Sequence, residues 1–253
     1  QLTFFIVGLP GLFVAALMYY TVREPARKGV GQDLAEIPLK NVLSYLLQRK
    51  QAYFGHILGI SIFIMVVYAL NLWGPTSFIR TFEYSRPEAG WIFGLVMISA
   101  GTFGLLTAGL LSDKLMARGI HDAYIRMILF SMLAIMPCAI ALGFIENDKL
   151  AIVAMAFAIY FSAFQGGISG GALQLMTPNR MRGQVTALFL LAANLIGLGL
   201  GPTVIAMVTD YIFMDEAAIG KSIALCTLLL CPTVAFILWR SMPAIQKQLA
   251  EQG

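Results

Sequence analysis

Seven apolar stretches, each near the length that crosses a bilayer, constrain this chain more than any other feature of its sequence. They run over Leu2–Thr21, His56–Ile79, Ala89–Leu111, Tyr124–Ile145, Leu150–Met176, Gln184–Val208 and Ile219–Trp239. A spanning helix needs about 20 such residues, and in lipid a helix satisfies its own backbone hydrogen bonds. Of the 253 residues, 59% are hydrophobic and only 12% are charged. The sequence therefore predicts an all-α integral membrane protein whose surroundings are the lipid bilayer.

The cations indicate which loops lie on which side of the membrane. If the seven spans alternate, thirteen of the 17 Lys and Arg residues fall on one side and four, Arg80, Arg86, Lys149 and Lys221, fall on the other. Cations are retained on the cytoplasmic side, so the richer side is predicted to be cytoplasmic. This distribution also explains the net charge of +4 without a nucleic acid partner.

The same spans and loops divide the chain into four parts. Residues 1–22 are expected to form a single helix, and residues 23–50 a cytoplasmic linker. Residues 51–242 would form a six-helix bundle and residues 243–253 a cytoplasmic tail. Within the linker, apolar residues recur at helical spacing at Leu39, Val42, Leu43, Leu46 and Leu47. This pattern predicts an amphipathic helix that lies along the membrane or against the cytoplasmic ends of the bundle.

Uncharged polar residues inside the spans are the candidates for a binding site. Polar groups in hydrocarbon are costly and tend to face the interior of a helix bundle. Tyr68 and Asn71 share a face of one span, Gln165 lies at mid-depth of another, and Asn194 at mid-depth of a third. Each residue has an alternative role, a hydrogen bond to a neighbouring helix. No Asp, Glu, Lys, Arg or His lies near the centre of any span.

Four glycines within six residues, Gly166, Gly167, Gly170 and Gly171, form a second candidate site. Glycine weakens a helix, and transporters bend their helices near the binding site. Gly166 and Gly170 are therefore candidate hinge positions, with close helix packing as the alternative.

Enzyme signatures are missing from the sequence. Gly220-Lys221-Ser222 resembles the end of a phosphate-binding loop, but that motif requires glycine where Asp215 stands. We predict no enzymatic activity, no cofactor and no metal site.

Short motifs in several loops carry a resemblance to a known family. The loop Gly109-Leu110-Leu111-Ser112-Asp113-Lys114, followed by Arg118, resembles the signature loop of the major facilitator superfamily (MFS). Four further segments resemble its spinster family, in the family's order. They are Val22-Arg23-Glu24-Pro25, Leu72-Trp73-Gly74-Pro75, Ile92-Phe93-Gly94-Leu95 and Arg180-Met181-Arg182-Gly183-Gln184. The match runs over nearly the whole chain.

The resemblance implies the sixth helix, the linker and the complete C-terminal half (helices seven to twelve) of a twelve-helix MFS transporter. It also implies transport of an amphipathic lipid, such as a lysophospholipid or a sphingoid lipid, by alternating access. Protons are the candidate coupling ion, with the coupling acid in the missing N-terminal half. Tyr68, Asn71, Gln165 and Asn194 would line the substrate cavity. Gating would involve Asp113, Lys114, Arg118, Arg180 and Arg182 at the cytoplasmic face, with Asp113 at a helix N-terminus of the other half.

Other readings of the sequence remain open. A multidrug or small-metabolite efflux transporter of the MFS fits the loop motif equally well, and a receptor or scaffold that does not transport is an alternative of another class. The expected location is a bacterial inner membrane, with the linker and C-terminus in the cytoplasm.

Overall fold

A computed structural model describes residues 2–22 and 37–252. Its described residues form helices and no strands, which confirms the predicted all-α class. The chain divides into two units, residues 1–36 and 37–253. In the first unit, α1 covers Leu2–Thr21 and contains Pro10. Residues 23–36, most of the predicted linker, lie outside the described residues.

The second unit contains α2 to α10 and six helical segments that are long and apolar enough to cross a membrane. Two spans, Arg86–Ala117 and Asn179–Phe213, are each built from several elements. They contain short π-helical segments, Met97–Gly101 in the first and Ala193–Leu200 and Val208–Phe213 in the second. The α-helices are α2 (Leu39–Gln48), α3 (Lys50–Thr81), α4 (Arg86–Val96), α5 (Thr102–Ala117), α6 (Ala123–Ala141), α7 (Asp148–Met176), α8 (Arg182–Ala192), α9 (Gly201–Met207) and α10 (Ile219–Gln252).

Side-chain bonds show which helix ends meet. At one end, the Asp122 carboxylate before α6 accepts a hydrogen bond from Gln246 of α10 (2.8 Å), and the Tyr53 hydroxyl of α3 donates to the Met176 carbonyl that ends α7 (2.6 Å). We call this end, where α5, α7 and α10 finish, the basic end. At the opposite end Tyr84 donates to Asp148 (2.7 Å). Within this unit, the grouping of ends agrees with the alternation of spans assumed from the sequence.

Close helix contacts depend on glycine at two places. A Cβ at Gly201 would lie 2.7 Å from the Met65 carbonyl oxygen, so α9 packs backbone to backbone against α3. A Cβ at Gly104 would overlap the backbone of Tyr160, which brings α5 equally close to α7. Ile60, Phe63 and other side chains of α3 are fully buried between these helices. The core of the unit is thus centred on α3 and α7.

The linker helix exists, but only part of its apolar face is covered. In α2, Val42 and Leu46 are buried, whereas Leu39, Leu43 and Leu47 are 52%, 42% and 59% exposed. Helix α2 therefore packs on the unit through a single row of residues.

The last helix is longer than a span requires. Helix α10 has 34 residues, about 51 Å at 1.5 Å per residue, against a hydrocarbon thickness of about 30 Å. It continues past Trp239, where the sequence predicted the span to end. Ile245 and Gln248 in this extension are buried, and Gln248 donates to the hydroxyl of Tyr45 in α2 (3.1 Å). Residues 243–252 therefore form a packed helical wall at the basic end.

Candidate functional site

Two of the four predicted cavity residues line the same space. Asn71 of α3 and Gln165 of α7 face a cavity of about 310 Å³, which we call the Asn71–Gln165 cavity. The π-helical segment Met97–Gly101 and the start of α5 form its third wall. Its full lining is Val67, Asn71, Met97, Gly101, Thr102, Leu105, Ile159, Ser162, Ala163, Gln165 and Gly166, so none of the lining residues is charged.

The two amides leave complementary groups without a partner. Asn71 donates its Nδ2 to the Val67 carbonyl of its own helix (2.8 Å), and its buried Oδ1 has no donor among the described residues. Gln165 accepts from the Ser169 hydroxyl through Oε1 (3.3 Å), which leaves its Nε2 as a donor. A buried acceptor without a partner is costly, so a ligand that supplies a donor there is favoured. Two amides thus line the cavity between apolar walls, and the Asn71 side chain must turn for its buried Oδ1 to accept from a ligand there.

The other two predicted residues lie elsewhere. Tyr68 is half-buried and packs against the hydrophobic core, and it is not part of the cavity lining. Asn194 is exposed on the π-helical segment Ala193–Leu200, where its Nδ2 donates to the Leu190 carbonyl (2.8 Å). The six-helix unit therefore does not bring Tyr68 or Asn194 to the Asn71–Gln165 cavity.

Helix α7 runs without a break through the glycine cluster. Gly166 lines the cavity, and a Cβ there would meet only Leu105 Cδ1, at 3.9 Å. A Cβ at Gly170 would have no neighbour within 4 Å. Neither glycine is required for close packing within the described unit, which leaves the hinge role for both as a proposal.

The predicted gating residues lie at the basic end. Asp113 is exposed and accepts a hydrogen bond from the Tyr124 hydroxyl (3.0 Å). Lys114 and Arg118 are exposed at the end of α5, and Arg180 is exposed before α8. Arg182 is half-buried, and its Nε donates to the Thr177 carbonyl (3.0 Å).

A larger pocket of about 630 Å³ opens beside Arg182 at this end, and we call it the basic-end pocket. Its buried carboxylate, Asp122, accepts from Arg126 Nε (2.8 Å) and Gln246 Nε2 (2.8 Å). Burial alone would raise the pKa of Asp122, but these two donors outweigh burial and hold the pKa below its ordinary value. Asp122 is therefore an anion that ties α6 to α10.

Sequence reasoning missed two contacts that join α3 to α7. Besides the bond from Tyr53 to Met176, His56 Nε2 lies 3.1 Å from the Ser169 carbonyl, which lies within the glycine cluster. Because a carbonyl only accepts, Nε2 carries the proton, and Nδ1 is a buried acceptor without a partner among the described residues. The three-residue spacing of Tyr53 and His56 on one helix face was the available signal.

A comparison with known families identifies the class of protein. The family model of the Major Facilitator Superfamily matches residues 1–202. The chain belongs to this family. Membership confirms the prediction of a non-enzymatic membrane protein.

Individual relatives agree with this membership. An "MFS-type efflux pump" of Mycolicibacterium smegmatis is 25% identical over 259 residues, which cover 99% of this chain and 58% of the relative. Two crystal structures of a bacterial homologue of the human lysosomal transporter spinster share the fold. The inward-facing unoccupied form has a TM-score of 0.58 at 19% identity, over 99% of this chain and 59% of that one. The inward-facing occupied form has a TM-score of 0.56 at 18% identity, over 98% of this chain and 57% of that one. The predicted spinster-like MFS fold is confirmed, and the chain spans less than three fifths of each relative.

Proposed function

We propose that the chain supplies the sixth helix, the linker and the C-terminal half of a secondary transporter that works by alternating access. Family membership and the spinster-like fold support this proposal. Transporters of this kind bind substrate near the middle of the membrane, at the seam between two repeats. The Asn71–Gln165 cavity, bounded by three helical spans, is the part of that site which this half contributes.

The substrate class that we propose is an amphipathic lipid with an uncharged hydroxyl or amide near its polar end. The single observation that carries this proposal is the pairing of an unpartnered acceptor on Asn71 with a free donor on Gln165, between apolar walls. Such a pair matches a group that both donates and accepts, as in a lysophospholipid or a sphingoid lipid. An isolated ion would have no counter-charge among the lining residues.

Proton coupling, if protons drive transport, is proposed to reside in the N-terminal half. The lining residues of the cavity include no carboxylate or histidine, and amides do not carry a proton at physiological pH. The half described here would then bind the polar group of the substrate while the other half binds the proton. We place the protein in a bacterial inner membrane, with its basic end in the cytoplasm, because of the cation distribution.

Export of apolar drugs is the second candidate function. The Mycolicibacterium smegmatis relative, described as an efflux pump, favours this alternative. A drug exporter would need the apolar walls of the cavity but not its two amides.

The deciding experiment measures uptake of labelled lipid into proteoliposomes that contain this chain joined to an N-terminal half. Asn71→Leu and Gln165→Leu should each lower lipid uptake about tenfold, since each removes one hydrogen bond to the substrate at about 1.5 kcal/mol. Asn194→Leu tests whether the site extends to the exposed side of the Asn179–Phe213 span. Gln174→Leu is the matched control, because Gln174 is an exposed amide on α7 outside the cavity.

Each result has a defined meaning. Loss of lipid uptake in the Asn71 and Gln165 variants, with normal uptake in the Gln174 variant, supports lipid transport through this cavity. Unchanged lipid uptake together with export of apolar dyes favours the drug exporter. Binding without movement of any substrate would favour a receptor and overturn the transport proposal. Uptake driven by a pH gradient with residues 1–253 alone would overturn the half-transporter assignment.

A further inference from the structure

The basic-end pocket is separate from the Asn71–Gln165 cavity and is built by several different parts of the chain. The turn between α5 and α6 contributes His121 and Asp122, and the first turn of α6 contributes Arg126. The start of α8 contributes Arg182, and the last turns of α10 contribute Gln246 and Leu249. Its volume of about 630 Å³ lies within the range of roughly 300–1,000 Å³ that is usual for small-molecule sites.

Of the two arginines in the pocket, Arg126 is paired with a carboxylate, and Arg182 has no carboxylate partner within the described part of the chain. Asp122 is 5% exposed, and its carboxylate is already engaged by Arg126 and Gln246. The guanidinium of Arg182 uses only Nε, toward the Thr177 carbonyl, and its two terminal nitrogens have no acceptor within the described part of the chain. A guanidinium presents its donors as a planar fork that fits the paired oxygens of a phosphate or a carboxylate.

Apolar side chains form most of the remaining wall. Met116, Ile120, Leu175 and Leu249 line the pocket beside the arginine. A ligand that fills this space therefore needs an apolar part as well as an anionic group. A bare inorganic ion would occupy only a small fraction of the volume.

We propose that the basic-end pocket binds an oxyanion carried on an apolar stem, with Arg182 contacting the oxyanion and Leu175 and Leu249 contacting the stem. The ligand bridges the start of α8 and the end of α10, so its binding stabilises the packed extension of α10. This site does not depend on the proposed transport function. The same chemistry is found in the phosphate of an anionic lipid that reaches the pocket from the membrane and in a soluble phosphate monoester.

The test uses binding to residues 1–253 and needs no transport. Hexyl phosphate is titrated into the detergent-solubilised protein by calorimetry, with hexanol as the uncharged control. In a second arm the same titration is made in nanodiscs of phosphatidylcholine alone and of phosphatidylcholine mixed with phosphatidylglycerol. Competition by phosphatidylglycerol identifies a lipid headgroup as the source, and undiminished binding in the mixed discs identifies a soluble ligand.

Two variants and one control make the result specific. Arg182→Gln should weaken hexyl phosphate binding by about tenfold or more, since a hydrogen bond to a charged group is lost. Lys247→Gln removes a cation from exposed α10 surface outside the pocket and should leave binding unchanged. Ala250→Trp keeps Arg182 but fills the pocket from the exposed side of α10, and it should also abolish binding. If Arg182→Gln disturbs the fold, the binding measured with Ala250→Trp shows whether hexyl phosphate occupies this pocket.

The proposal is overturned if hexyl phosphate binds no better than hexanol. Equal weakening by Arg182→Gln and Lys247→Gln would show general attraction to a basic surface and would also overturn it. Failure of this test would leave lipid uptake through the Asn71–Gln165 cavity untouched, and failure of the uptake test would leave this pocket untouched.

Discussion

The double substitution Gly166→Ala and Gly170→Ala tests directly whether α7 bends during transport. Neither added methyl group meets an atom closer than 3.9 Å, so the unit as described accommodates both. Alanine in a helix is favoured over glycine by roughly 0.5–1 kcal/mol, so the pair should stabilise straight α7 by about 1–2 kcal/mol. If one transport state requires a bent α7, that state is disfavoured by the same amount. Its population should then fall roughly 5- to 30-fold.

The assay pairs thermal unfolding with lipid uptake in the joined protein. We expect the double variant to be more stable and slower in uptake. Gly90→Ala with Gly94→Ala is the matched control, because these glycines have the same spacing on α4 and no neighbour within 4 Å. The control should raise stability and leave uptake unchanged. A stabilised α7 variant with normal uptake would refute the hinge.

The remaining predictions concern the basic end. Tyr53→Phe should lower the free energy of unfolding by about 1–3 kcal/mol, because the last carbonyl of α7 loses its donor, as measured by denaturant unfolding. His56→Phe should cost less, since its carbonyl partner lies within α7 and keeps an intrahelical amide; equal losses would contradict this reasoning. Asp122 has a folded-state pKa below its unfolded value, so its stabilisation is complete above the unfolded value and is lost as the pH falls through the folded value. Hydrogen-exchange protection factors at the end of α10, which are corrected for the intrinsic pH dependence of exchange, should therefore fall in acid, but not in Asp122→Asn. Asp113→Asn should shift the population closed at the basic end by roughly fivefold, about 1 kcal/mol, and unchanged cysteine accessibility of the cavity would show that Asp113 is only a solvated loop charge.

The spans were predictable because their signal is local. A run of about 20 apolar residues specifies a helix in lipid without reference to its neighbours. The amphipathic pattern from Leu39 to Leu47 was equally local, and α2 occupies those residues. The rule that polar groups in hydrocarbon turn inward made Tyr68, Asn71, Gln165 and Asn194 candidates for one cavity, and of these Asn71 and Gln165 line the same space. Asn194 satisfies its amide on its own helix, and this local hydrogen bond competes with that rule.

Features that depend on three-dimensional neighbours were not predictable. The basic-end pocket brings together residues separated by more than a hundred positions, such as Asp122 and Gln246. The sequence placed the end of the last span at Trp239, where hydrophobicity falls, yet α10 continues because Ile245 and Gln248 find partners in other helices. Hydrophobicity reports contact with lipid, and it carries no information on a helix that leaves the membrane and packs on protein.

The irregular backbone of the unit coincides with its least covered spans. In the apolar 18-residue stretch that marks each span, only 17% of the residues are buried in Arg86–Ala117 and 28% in Asn179–Phe213. The corresponding share in Lys50–Phe82 is 56%. The same two spans contain all three π-helical segments of the described residues. A π-helical turn loosens the regular hydrogen-bond ladder and is often found at functional sites. One of these segments, Met97–Gly101, lines the Asn71–Gln165 cavity, so one wall of the proposed substrate site is formed by a span that buries little of its surface within the unit. A transporter half that must change its contacts with the other half needs such a wall, because a fully packed span would have to break its own core to move.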